Sequence, residues 1–142
     1  MQAPAQPPSP PEPAVNGSSN DARALRKSLS QFATGVTVIT TRTPEGTLVG
    51  LTANSFGALS LEPALIVWSL RLSSASLAIF QNVPRFVVNV LTDAQVETSR
   101  HFASSAPKKF ESVAHAENQH GLPLLHGCAA WFECRRISHQ AA

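Results

Sequence analysis

Apolar and polar positions along the chain follow two periods, and the change from one to the other marks out the elements. Leu25, Leu29 and Phe32 fall on one face of a helix that Asn20 or Asp21 can cap and that Gly35 stops. From Val36 to Thr43 almost every residue is β-branched, a composition that suits a pleated strand. Pro44, Glu45 and Gly46 supply a turn, and Thr47 to Ala53 returns as the partner strand of a hairpin. Two further apolar runs, Ala64 to Leu70 behind Pro63 and Arg85 to Leu91, read as strands, with a short helix from Ser74 to Phe80 ending near Asn82. Thr92 and Gln95 have capping-box spacing and start a helix carrying Val96, Arg100 and Phe102. A helical turn follows around Lys108 to Ser112, residues 120–127 are broken by Gly121, Pro123 and Gly127, and Cys128 to Ile137 forms a last strand. Hairpins and short helices without regular βαβ alternation predict a mainly β fold with short helices, an antiparallel barrel or sheet.

Composition refines this picture at the ends. Met1 to Ser19 hold six of the eleven prolines and almost nothing able to build a core, so residues 1–20 are expected to be a disordered Pro-rich tail and residues 21–142 the one domain. The last strand is followed only by Ser138 to Ala142, so either a sheet edge is exposed or the sequence is a fragment. Eleven basic against nine acidic residues give a net charge of +2, too small an imbalance for a nucleic-acid or membrane surface. No basic start with an apolar run marks a signal peptide, and Ala64 to Leu70 is too short to span a bilayer, so a cytoplasmic protein is expected. Cys128 and Cys134 sit about 20 Å apart along one strand, which predicts two ordinary buried thiols.

Candidate chemistry is sparse. Neither a dinucleotide-binding nor a Walker glycine pattern is present, the five histidines lack metal-ligand spacing, and Ser55 has no nucleophile-elbow glycines. No metal site and no protein nucleophile are therefore expected. The segment Gly50, Leu51, Thr52, Ala53, Asn54, Ser55, Phe56 leaves a strand through small and amide-bearing residues, which suits the polar edge of a planar heterocycle or simply a well-bonded loop. Arg71, Leu72, Ser73, Ser74, Ala75 and Ser76 open a helix with hydroxyls and a cation, as an anion site or as plain serine capping. Arg100, His101 and Phe102, with Lys108 and Lys109 beyond, form either a phosphate contact or a solvated basic face.

Taken in order, these segments resemble the flavin reductase family of FMN-binding split barrels. The likeness is carried by Leu25-Arg26, by Phe32 to Thr40, by Gly50 to Phe56, by Ser73-Ser74 and by Phe86 to Leu91 with Asn89. It continues through Phe102-Ala103, Lys109-Phe110, Gly121 to Leu125 and Trp131 to Arg135, covering about Leu25 to His139. The resemblance implies that Thr52, Ala53, Asn54 and Ser55 line the isoalloxazine ring. It also implies that Ser73, Ser74 and Ser76 hold the phosphate, with Asn89, Arg100 to Ala103 and Lys109 nearby. It implies FMN or FAD as the flavin, NADH or NADPH as hydride donor, a homodimer, and a monooxygenase as recipient of reduced flavin. Two departures stand out: Gly57-Ala58-Leu59 replaces larger or hydroxyl-bearing residues, and relatives continue past His139 with a Gly-Asp-His turn and more strands. The implied barrel would then lack its last strands and part of its nicotinamide site. The competing readings are a flavin- or haem-binding module of the same barrel type without turnover, and an inactive fragment.

Overall fold

The computed structural model describes residues 21–142, so the expected tail and the capping choice at Asn20 lie outside the described residues. The chain divides into two units, the first ending at Ala33 and the second running from Thr34 to Ala142. In the first unit, α1 spans Asp21–Leu29. It stops well short of Gly35 because its last carbonyls are taken locally: the Ser30 hydroxyl donates to Lys27 O at 2.6 Å, and Gln31 and Phe32 N–H groups close three-residue turns on Ser28 and Leu29. Leu25, Leu29 and Phe32 are exposed.

The second unit contains β1 (Thr37–Arg42), β2 (Leu48–Ala53), β3 (Gly57–Leu61), β4 (Ala64–Val67), α2 (Leu77–Asn82), β5 (Arg85–Val90), α3 (Val96–Ala103), β6 (His115–Glu117), β7 (Pro123–Leu125) and β8 (Ala130–Arg135). Short 3₁₀ turns at Asp93–Gln95 and Lys109–Ser112 flank α3. A four-stranded sheet runs in the order β2-β1-β5-β8, with the hairpins β3-β4 and β6-β7 beside it, and every pairing is antiparallel.

Alternation across the central sheet explains its packing. Side chains of successive strand residues point to opposite faces, and here both faces are covered. On one face Ile39, Ala53, Phe86 and Val88 pack with Phe80 and Val83 around α2, joined by Trp68 and Ile66. On the other, Val38 packs with Phe102 of α3, Phe110 and Leu125. A strand buried on both sides needs apolar or hydrogen-bonded residues at every position, which is why Thr37 to Thr41 are all buried. The threonines satisfy themselves: Thr37, Thr40 and Thr41 hydroxyls donate to Ala53 O, Pro123 O and Arg85 O at 2.7, 2.7 and 2.8 Å.

Several elements differ from expectation. β3 was not expected, because Gly57-Ala58-Leu59-Ser60-Leu61 has no β-branched residue; its pairing with β4 makes the strand. The β4 strand ends at Val67 rather than Leu70, and α2 begins at Leu77 rather than Ser74. Much of the stretch expected to be irregular, residues 120–127, belongs to a hairpin over residues 115–125. Its turn is built by the Asn118 side chain, which accepts His120 and Leu122 N–H groups at 2.9 Å, and by Gly121 at φ +72°.

Cys128 and Cys134 are free and half-buried. Burial pushes the Cys134 thiol from its ordinary value of 9.0 up to about 11. Because the folded value lies above the unfolded one, this thiol's contribution to stability is complete below about pH 9 and is lost as pH rises through 11. Iodoacetamide at pH 8 should therefore leave Cys134 unmodified in the native protein under conditions that fully label the urea-unfolded chain. Peptide mapping reads the result, and prompt native labelling would contradict it.

Candidate functional site

Four strand ends meet at one end of the central sheet. Thr37, which opens β1, is in register with Ala53, which closes β2, and with Val90, which closes β5; Val90 in turn faces Ala130, which opens β8. At normal strand spacing this row is roughly 14 Å wide. Backbone bonds carry it one residue further, from Leu91 N to Val36 O at 3.0 Å and from Ala129 N to Val90 O at 2.8 Å.

Between this row and α3 lies a cleft of about 350 Å³. Val36, Leu91 and Val96 give it apolar walls, Thr92, Asp93, Gln95 and Ser99 give it polar groups, and Arg100 supplies a cation. The capping box places the polar groups: Gln95 Oε1 accepts the Thr92 N–H at 2.9 Å, fixing the start of α3 against the end of β5. Arg100 pairs with Glu97 at 2.8 Å, but both side chains are mostly exposed, so the pair is weak and the guanidinium keeps donors for an anion.

The structure divides the expected site residues. Gly50 to Ala53 cannot all line one slot, because alternate strand residues face opposite ways. Gly50 and Thr52 face α3: a Cβ on Gly50 would lie 2.7 Å from Phe102, and the Thr52 hydroxyl donates to Ser99 O at 2.6 Å. Leu51 and Ala53 belong to the cluster on the other face. Asn54 and Ser55 then leave the sheet and are exposed. Ser55 is stapled to Ser69, its hydroxyl accepting the Ser69 N–H at 2.8 Å and donating to Ser69 O at 3.1 Å. This bond joins the polar turn to the segment that continues into Ser73, Ser74 and Ser76.

The serines themselves do not line the cleft. Ser76 stands before α2 without a side-chain cap, whereas Ser74 Oγ accepts the Ser76 N–H at 3.3 Å. Arg71 and Ser73 are exposed.

Asn89, Phe102 and Lys109 are drawn inward instead. Asn89 is fully buried, and its carboxamide is spent on Val38 O, Thr40 Oγ1 and the Leu125 N–H at 2.9, 3.0 and 2.9 Å. Phe102 is 1% exposed and stacks edge-on against Phe110 at 5.1 Å. Lys109 donates to Phe102 O at 3.1 Å, so its charge meets the last turn of α3, and burial lowers its pKa. Ala103 is exposed at the same end of that helix. Of the residues expected from sequence, Arg100 lines the cleft and Thr52 bonds to its wall. Val36, Leu91, Thr92 and Ser99 were not expected there. The signal for them was the capping box beside the end of β5, which reads as plain helix capping until the strand register is known.

The chain matches the family model described as flavin reductase like domain over residues 29–142. It is 38% identical over 115 residues to the reductase component of flavin-dependent trigonelline monooxygenase from Acinetobacter baylyi, covering 81% of this chain and 37% of that one. It is 39% identical over 124 residues to FMN reductase (NADH) SmoA from Agrobacterium fabrum, covering 87% and 70%. Among solved structures, a Streptomyces globisporus NADH:FAD oxidoreductase in complex with NAD and FAD fragments superposes with a TM-score of 0.79 at 31% identity, covering 90% of this chain and 78% of that one. The chain thus spans little more than a third of the length of some relatives it matches. With antiparallel sheets of the split-barrel type and a family match across the whole second unit, the chain belongs to the flavin reductase like domain family.

Proposed function

We propose that this chain forms the flavin-holding part of an NAD(P)H-dependent flavin reductase that takes FMN or FAD and supplies reduced flavin to a flavin-dependent monooxygenase. One observation carries the reading: in a chain of this family, an apolar-walled cleft with a polar rim and a cation opens at the strand ends where the Asn54-Ser55 turn begins. The donor set fits a planar heterocycle with an anionic tail, and the cleft volume lies within the range of small-ligand sites.

In this reading Val36, Leu91 and Val96 exclude water from one ring face. Asn54, Ser55, Thr92 and Ser99 offer donors and acceptors to its polar edge, while Arg100 takes the phosphate and Ser73, Ser74 and Ser76 stand outside the cleft lining. Thr52 holds the cleft wall in place through Ser99 O. Gly50, Leu51, Ala53, Asn89, Phe102 and Lys109 support the site from within the fold rather than at the ring, and Ala103 lies exposed at the end of α3. When bound, flavin would supply the redox chemistry, with NADH or NADPH as hydride donor. The chain's residues bind, orient and desolvate; no side chain is required as nucleophile. Assembly as a homodimer and residence in the cytoplasm complete the proposal, and among the described residues no helix is long and apolar enough to cross a membrane.

Titration of the chain with FMN and with FAD, followed by flavin fluorescence, should give saturable binding of at least one. NAD(P)H oxidation should then exceed that of free flavin. Absence of saturable binding to either flavin would overturn the reading. Arg100→Ala should raise the dissociation constant about fivefold at low salt, with a smaller difference at high salt because the lost contact is electrostatic. An unchanged constant at low salt would remove Arg100 from the site.

A further inference from the structure

We infer that Gln95 is a positioning residue whose carboxamide fastens the Thr92 rim of the cleft to the His126–Cys128 loop and thereby sets how tightly the cleft holds flavin; this rests on the reading of the cleft as a flavin site.

A capping glutamine normally finishes its work at the helix start, where its oxygen accepts one backbone N–H. Gln95 does this with Oε1 on the Thr92 N–H at 2.9 Å. Its other end does something the cap does not need: Nε2 donates to His126 O at 2.9 Å and approaches Cys128 Sγ at 3.7 Å. The loop it reaches is brought up closely. Gly127 sits at φ +78°, and a Cβ there would lie 3.6 Å from Gln95 Nε2.

This loop connects the β6-β7 hairpin to β8. Upstream, Leu125 N–H is held by Asn89 Oδ1 at 2.9 Å, and Leu125 O accepts Trp131 Nε1 at 2.9 Å. Downstream, Ala129 N–H bonds to Val90 O at the same strand end that forms the cleft. The loop is therefore fixed at both ends, and Gln95 transfers that fixity to Thr92, which lines the cleft. Without the second bond, the start of α3 would lose one of its ties to the sheet and keep its own cap and the Thr52 bond to Ser99 O. A binding wall that must be ordered on ligand arrival binds less tightly than one already in place.

Two variants separate the halves of this link. Gln95→Glu keeps an oxygen for the Thr92 N–H, and its charge suits a helix start, but it has no N–H for His126 O. Gln95→Leu removes both bonds. The expected result for Gln95→Glu is a native far-UV spectrum and melting temperature, faster hydrogen exchange in residues 126–129, and an FMN dissociation constant raised about tenfold. The rise should persist at high salt, which separates the lost bond to His126 O from the charge that glutamate brings into the cleft. Gln95→Leu should raise the constant at least as much and also lower the melting temperature.

An FMN constant for Gln95→Glu equal to the wild type would overturn the inference. So would a rise that disappears at high salt, which the added charge alone produces. Should Gln95→Leu fail to fold, Gln95→Glu decides alone. Should the unsubstituted chain bind no flavin, the proposed function falls first, and that outcome is distinct from a bound wild type with an indifferent variant.

Discussion

Gly50→Val is expected to destabilise the chain by about 3 kcal/mol and to abolish the cleft with it. The Cβ alone would stand 2.7 and 2.8 Å from two ring carbons of Phe102 and 3.0 Å from Phe110 Cζ. Neither ring has room to retreat. Phe102 is 1% exposed, stacks on Phe110 at 5.1 Å and on His101 at 5.5 Å, and Phe110 packs in turn against His115 at 5.4 Å. The β2 strand and α3 must therefore move apart, and the Thr52 bond to Ser99 O at 2.6 Å, which sets the cleft wall, lies on that same contact. Gly50→Ala should show an intermediate loss. Urea unfolding of the three proteins measures the series, and valine tolerated to within about 0.5 kcal/mol would contradict the packing described.

Asn89→Leu carries the second large effect, a loss of roughly 3 kcal/mol or more. The asparagine is fully buried at the crossing of three strands, where it gives two hydrogen bonds to β1 and receives one from β7. Leucine fills similar space but leaves the Leu125 N–H without its acceptor. Satisfaction is otherwise complete, since among the described residues no buried side-chain polar atom lacks a partner. Because Leu125 O accepts the Trp131 indole N–H, the substitution should also shift tryptophan fluorescence before global unfolding. A denaturation midpoint equal to the wild type would show that the clasp is dispensable.

How much of this was legible in the sequence depends on what each residue needed from distant ones. β1, β2 and β5 were readable because burial on both faces forces a nearly unbroken run of β-branched and apolar residues, as in Thr37 to Thr41 and Phe86 to Val88. β3 was not, because its five residues have little strand preference and gain their form from pairing with β4. The three-residue strands β6 and β7 depend on the Asn118 turn, a side-chain effect invisible to periodicity.

The site was legible in part for the same reason. The segment from Gly50 to Ser55 stands out in the sequence, but its small residues have different causes. Gly50 makes room for Phe102, Thr52 ties β2 to α3, and Asn54 and Ser55 alone leave the sheet. Asn89, which the resemblance puts near the flavin, clasps β1 to β7, a role that only its partners on those strands could reveal. Val36 and Leu91 are ordinary apolar residues, made neighbours by a backbone bond between strands remote in sequence. The staple between Ser55 and Ser69 likewise joins the polar turn to the serine segment through contacts no local pattern encodes.

Hydrogen exchange of the chain with and without saturating FMN tests the central claim most directly. Slowed exchange concentrated at Asn54-Ser55, Leu91 to Gln95 and Ser99-Arg100 is the predicted result. Slowing confined to the β3-β4 or β6-β7 hairpin, with those amides unchanged, would contradict it.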